Sequence, residues 1–194
     1  ADERFQYIPK DFPLVFVGAS AQEKNICSVS LDDEKVAYEA TRHLITLGHT
    51  KIALVTGPME EDCSQDRTEG YQRALQEAGI AFDKTMVIEG DWSASSGQSA
   101  LLSFVEQGRV PSAVFAQNDR MAMGVLRAAR DINLKVPSQL AVIGVDDMPL
   151  SSYFDPPLTT MRQDMPRIGQ EATRMLLDII KKKSTAMRDL KLPA

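Results

Sequence analysis

Ala113–Asp146 reads AVFAQNDRMAMGVLRAARDINLKVPSQLAVIGVD, and this stretch decides the fold. Ala113-Val114-Phe115-Ala116 is apolar on every residue, the pattern of a strand covered on both faces. Asn118 or Asp119 then caps a helix that runs to Asp131. Leu140 to Val145 is a second apolar strand. Strand, crossover helix and strand in succession predict a parallel βαβ unit.

The same grammar extends in both directions. Upstream, Leu14–Val17 and Ile26–Leu31 are short apolar runs. A helix opens at Asp32 or Asp33, carries Val36, Ala40, Leu44 and Leu47 on one face, and stops at Gly48. Ile52–Val55 is a strand, and a helix follows from about Asp66 to Ala78. Met86–Ile88 is a strand, and Ser93 or Ser95 caps a helix to Glu106. Residues 32–158 thus hold four apolar strands alternating with helices. Downstream, Asp155–Thr160 reads as a rigid extended connection, because each proline biases its predecessor away from helix. A long helix follows from about Asp164 to Lys182, and Leu190–Leu192 is a candidate last strand. Residues 1–31 and 162–194 supply too few elements to cover both faces of a sheet, so they either pack on the first assembly or belong to a larger second one.

Composition narrows the function classes. The 194 residues are 43% hydrophobic, 25% charged and 6% aromatic, values of an ordinary globular chain. Lys and Arg number 22 against 27 Asp and Glu, a net of −5 with no basic block, which argues against DNA binding by these residues themselves. No apolar run approaches the roughly 20 residues of a membrane helix, and Ala1-Asp2-Glu3-Arg4 does not read as a signal peptide. Cys27 and Cys63 match no metal or redox spacing and read as free, buried thiols of a reducing cytoplasm. His43 and His49 are not spaced i and i+4, and no G-x-S-x-G, H-E-x-x-H or G-x-x-x-x-G-K occurs. The expectation is no catalysis, no cofactor and no metal.

Six segments then fall into one pattern. His43–Ala53, HLITLGHTKIA, resembles the "HLxxLGHxxIA" signature of LacI/GalR-type transcriptional repressors. Asp66-Arg67-Thr68-Glu69-Gly70-Tyr71 resembles that family's "R-x-x-G-[FY]" helix. Glu89–Ala94, Gln117–Gly124, Val142–Asp147 and Pro157–Asp164 continue the likeness, in order, across about residues 14–194. The resemblance implies an α/β, periplasmic-binding-protein-like core of two doubly wound parallel-sheet halves with three crossovers. A small effector would sit in the cleft between the halves. In that frame residues 1–31 and 162–190 are part of an N-terminal half that is incomplete here. Residues 32–161 are the C-terminal half, and 191–194 are the final crossover. The family's helix-turn-helix head, hinge helix and first βα units would lie outside this sequence. Operator DNA would be reached only through that absent head.

Candidate effector-binding residues stand where loops leave strand ends, the usual place for ligands in α/β sheets. A sugar-like ligand needs groups that bridge hydroxyls and an aromatic face for the ring. Arg67 is the candidate charged donor, against a plain solvated arginine in an acidic loop. Trp92, the single tryptophan, is the candidate ring partner, against a core or hinge-face role. Asn118 serves as ligand, helix cap or both. Asp146 is a candidate acceptor of two hydroxyls, with Asp147 the likelier turn residue. Gln163 lies at the second crossing. Ala19 and Ser20 end the first apolar run; Ala19 stands where some sugar-binding relatives carry an aspartate. Cys63 and Ser64 come in by proximity to Arg67. Met123, Tyr153 and Phe154 are candidate dimer-interface residues, with ordinary core as the alternative. Lys181-Lys182-Lys183 reads as a solvated run that compensates a helix dipole.

These readings predict a cytoplasmic effector-sensing core that forms a homodimer or a tetramer and touches no membrane. Two rivals of other classes are a periplasmic sugar-binding protein of a transport system and a Mg²⁺-dependent enzyme using Asp146 with Asp147.

Overall fold

The structure is a computed structural model that describes residues 8–9, 12–18, 26–181 and 189–194. The chain divides into two compact units, Asp33–Gln163 and the pair of segments Ala1–Asp32 and Asp164–Ala194.

In the 33–163 unit, helix α1 (Asp33–Thr46) precedes strand β3 (Ile52–Thr56), with β1 and β2 belonging to the other unit. Then come α2 (Asp62–Glu77), β4 (Val87–Glu89), α3 (Ala94–Glu106), β5 (Ala113–Ala116), α4 (Asp119–Asp131), β6 (Ala141–Asp146) and β7 (Thr159–Arg162). The sheet is wholly parallel in the order β4-β3-β5-β6-β7. Side chains alternate across it. Ala53, Val55, Val114, Ala116 and Val142 join Leu101, Phe104, Met121 and Val125 of α3 and α4 in one buried cluster. Ile52, Leu54, Ala113, Phe115 and Ile143 point the other way, toward the α1 and α2 side, and are also buried. Both faces of the strands are therefore dry, which is why they read as unbroken apolar runs.

Three readings change. The unit has a fifth strand: Thr159–Arg162, which starts in the extended connection and runs past its end, pairs with β6 from Ile143↔Thr159 to Asp146↔Arg162. Its backbone is extended as the prolines demand, but it is hydrogen-bonded as a sheet edge. Helix α2 starts at Asp62, not near Asp66, so Arg67 lies in its second turn rather than at its opening. Cys27 is buried, but Cys63 is only partly so. The expected caps hold at Ser93 and Asn118, whose side chains accept the N–H of Ser96 and Met121.

The other unit holds β1 (Val15–Val17), β2 (Cys27–Leu31), α5 (Met165–Ile180) and β8 (Asp189–Leu192). Its parallel sheet runs β1-β2-β8, and Ser28 Oγ donates to Asp189 Oδ1 at 2.6 Å. Val29, Ile168, Ala172 and Leu192 form its core, with Val15, Met175 and Leu190 against them. The candidate last strand at Leu190–Leu192 is β8, which begins one residue earlier at Asp189. Met165, Leu177 and Ile180 of α5 stay exposed.

Candidate functional site

The chain leaves β3 through α2 toward β4 on one side, then returns past β3 to β5 on the other. That reversal opens a crevice outside the carboxyl ends of β3 and β5, where ligands of open α/β sheets bind. Four of the expected residues stand there or at the adjoining strand ends: Arg67 after β3, Trp92 after β4, Asn118 after β5 and Asp146 at the end of β6.

Arg67 is the hub. It is buried, its Nε donates to Asp33 Oδ1 at 2.7 Å, and its Nη1 donates to the Gln117 carbonyl. The side chains of Arg67 and Asp33 are 7% and 9% exposed, so this is a buried ion pair rather than a solvated arginine. Buried pairs add little net stability over apolar packing, yet removing one partner strands the other charge. Gln117 is fully buried and has its amide satisfied from three sides: Nε2 donates to the Ser64 carbonyl and Thr68 Oγ1, and Oε1 accepts the Gly57 N–H. Ser64 thus serves the network through its backbone.

Trp92 holds a left-handed backbone, φ 66°, and its indole lies across Gly57. A Cβ at Gly57 would land 2.0 Å from the ring, so no other residue fits beneath it. The indole N–H donates to Glu61 Oε1 at 3.0 Å, and the Arg67 guanidinium carbon sits 5.9 Å from the ring centre. Asn118 binds this arm from below. Its Nδ2 donates to the Trp92 carbonyl at 3.1 Å while its Oδ1 caps α4 through the Met121 N–H at 2.7 Å. Asn118 is therefore both a cap and a positioning group for Trp92.

Asp146 and its neighbour turn the chain sharply, with φ 128° and 55°. Burial pushes the Asp146 carboxyl up to about 6; Arg67 opposes the rise, and Asp119 and Asp33 add to it. Asp119, fully buried behind it, is saturated: it accepts the Met148 N–H and the hydroxyls of Ser151 and Thr160. Asp147 is paired with Arg162, whose Nε lies 2.6 Å from its Oδ2. Among the described residues no group of three or more His, Cys, Asp or Glu could hold a metal ion. Gln163 is half-buried and meets this turn through its backbone N–H on the Asp146 carbonyl at 3.3 Å. Burial also raises the Cys63 thiol, against the pull of Arg67.

Ala19 and Ser20 lie outside the described residues, as do Lys182 and Lys183. Of the interface candidates, Tyr153 is 82% exposed and Met123 39%, whereas Phe154 packs against the α3–α4 cluster. Asp33, Glu61, Gln117 and Asp119 escaped the sequence reading as site residues. Asp33 carried a signal only as a helix start, and Gln117 and Asp119 only as members of the Gln117–Gly124 segment that carries the resemblance.

Comparison with known proteins adds the context. A family model, the periplasmic binding protein-like domain, matches residues 41–194. The chain is 35% identical over 178 residues to the HTH-type transcriptional repressor PurR of Vibrio atlanticus, covering 92% of this chain and 53% of that protein. It is 36% identical over 194 residues to catabolite control protein A of Priestia megaterium, covering 99% and 58%. Among solved structures it resembles a complex of the transcriptional regulator CelR with cellobiose, at TM-score 0.87 and 32% identity over 92% of this chain and 55% of that one. A LacI-family regulatory protein from Chloroflexus aggregans superposes at TM-score 0.88 with 29% identity, over 94% and 66%. The chain spans about half the length of the curated relatives it matches.

Proposed function

The chain belongs to the periplasmic-binding-protein-like domain family, within its LacI-type regulators, and on that footing we propose that it is the effector-sensing core of a transcriptional repressor. Residues 33–163 are read as the C-terminal half and carry one wall of the effector site. The effector is a small polyhydroxylated, sugar-like molecule, and the protein works in the cytoplasm as a dimer or a tetramer. Operator DNA is reached through a helix-turn-helix head that these residues do not include. A ligand acts only through a difference in its affinity for two arrangements of the protein.

The observation that carries this reading is the gathering of Arg67, Trp92, Asn118 and Asp146 at one switch point of one sheet. Charged hydrogen-bonding groups beside an indole face suit vicinal hydroxyls on a ring. The test is a fluorescence titration of the full-length protein with a panel of sugars and sugar phosphates, followed at Trp92. Arg67→Ala and Asp146→Asn should each weaken the responding ligand about 10- to 150-fold, the loss of one charged hydrogen bond. Gln163→Ala should cost less. Unchanged affinity in both charged-residue variants would move the site elsewhere.

For the dimer, exposed Met123 and Tyr153 are the anchors, with Phe154 tying their surface to the core. Replacing Met123 and Tyr153 by Asp should give monomers in sedimentation, because each would bury an unpaired charge. An unchanged dimer would return both to plain surface.

A further inference from the structure

The two ends of the five-stranded sheet carry opposite charge. Glu60, Glu61, Asp91 and Asp147 stand just past the carboxyl ends of β3, β4 and β6, in loops that hold no Lys or Arg. The loops that enter β3, β4, β5 and β6 are residues 47–51, 78–86, 107–112 and 132–140, and they hold Lys51, Lys84, Arg109 and Lys135 against Asp83 alone. These four loops share one edge, because the strands are parallel and lie in the order β4-β3-β5-β6. The Ser112 N–H donates to the Lys51 carbonyl at 2.9 Å, and the Ala141 N–H to the Ser112 carbonyl at 3.0 Å. Asp83 is spent on the N–H and hydroxyl of Thr85. Of the acids that end the helices leading in, Glu77 accepts the Tyr38 hydroxyl and Asp131 pairs with Arg127, which leaves Glu106. Asp155, ahead of β7, pairs with Arg130.

The same edge shows apolar groups to solvent. Leu47, Phe82 and Val110 are exposed, one on each of three neighbouring loops. Phe82 is held in place: its ring meets Tyr71 edge-on with centroids 6.3 Å apart, and the buried Tyr71 is itself anchored by its hydroxyl on the Ile52 carbonyl. Exposed apolar side chains rimmed by charge mark a protein-binding surface. A second copy of the same edge is a poor occupant, since a two-fold contact would set these cations against their own kind. We propose that the amino edge of the sheet, with Leu47, Phe82 and Val110 among Lys51, Lys84 and Lys135, docks an acidic segment of another protein. Its carboxylates meet the lysines and its large apolar side chains meet the three hydrophobes. From β4 to β6 is three strand spacings, about 15 Å, which about ten residues of helix would cross. The surface lies at the opposite end of the strands from the effector site, so the two can be filled together.

Fluorescence anisotropy of the full-length protein with a labelled acidic peptide tests this. The probe is a helix-forming peptide of about twelve residues, glutamate-rich, with two leucines and a phenylalanine on one face. It should bind saturably, and a version with glutamine for every glutamate should bind about tenfold or more weaker. Lys51→Glu with Lys84→Glu should cost about tenfold, and Leu47→Gln with Val110→Ser a similar factor. All four side chains are exposed, and unchanged thermal melting confirms that the variants fold. No binding, equal binding of the glutamine peptide, or unchanged affinity in both double variants overturns the proposal. Phosphatidylglycerol vesicles that bind where the peptide does not, and are lost with Lys51→Glu and Lys84→Glu, assign the edge to a lipid surface and overturn the protein partner. Self-association that disappears with Leu47→Gln and Val110→Ser assigns it to a second copy and overturns the proposal equally.

Discussion

Two helix glycines show how differently the units are built. Gly124 in α4 faces α3 so closely that a Cβ would sit 1.8 Å from the Ala94 carbonyl oxygen. Gly169 in α5 has nothing within 4 Å of the same position. The 33–163 unit brings backbone against backbone and covers both faces of its central strands β3, β5 and β6. Among its described residues, the unit of β1, β2, β8 and α5 gathers Val29, Ile168, Ala172 and Leu192 in a small cluster and leaves Met165, Leu177 and Ile180 exposed. The close-packed unit also contains the buried charge network. Close packing and buried charge belong together, since a dry, stiff surrounding is what makes an ion pair at a strand end hold its geometry.

The strongest way to break the contrast is to remove the hub. Arg67→Met should destabilise the 33–163 unit by about 3–5 kcal/mol, because Asp33 stays buried and loses this cation. Urea unfolding followed at Trp92 reports it, and Asp33→Asn in the same chain should recover part of the loss. A fall below about 1 kcal/mol would mean the pair is looser than its geometry implies. Next is Gly124→Ala, which should cost about 1–3 kcal/mol although alanine is the better helix former.

The pH dependence of Asp146 is a smaller effect. Its folded pKa, about 6, lies above the ordinary 3.8, so the native state holds this proton longer than the unfolded chain. That contribution favours folding below about pH 4 and is lost as pH rises through about 6. Melting temperatures of Asp146→Asn relative to the unaltered protein should therefore be near equal at pH 4 and higher for the variant at pH 7. A constant difference across that range would remove Asp146 as its source. Gly169→Ala should reverse the sign seen at Gly124 and stabilise by about 0.5–1 kcal/mol. A loss there would show that the open face of α5 is covered in solution.

The central strands were legible because burial on both faces writes itself as an apolar run, as at Ile52–Val55 and Ala113–Ala116. β7 was not, because Thr159-Thr160-Met161-Arg162 is a short edge strand with half-wet side chains and no apolar run to mark it. The start of α2 was missed because Glu61 offers no side-chain cap there. At the site, residue types at strand ends pointed to Arg67, Trp92, Asn118 and Asp146. What they could not convey is partnership. Arg67 meets Asp33 only because α1 and α2 lie side by side, and Trp92 crosses Gly57 only because its backbone turns left-handed. Such pairings are made by the fold and have no local signature.

The pairing of β2 with β8 joins residues 161 positions apart, whereas β1 and β2 are neighbours in the chain. On a ribosome adding about 5–20 residues per second, β2 waits on the order of ten seconds or more for its second neighbour. The whole of 33–163 emerges, and can fold, within that interval. During it one edge of β2 has its amides and carbonyls unclaimed, open to any strand that arrives first. Among the strands that could reach it is the β8 of another nascent copy on the same messenger. Two chains that trade β8 in this way would be linked before either is released, by a strand exchange that dilution after folding undoes only slowly.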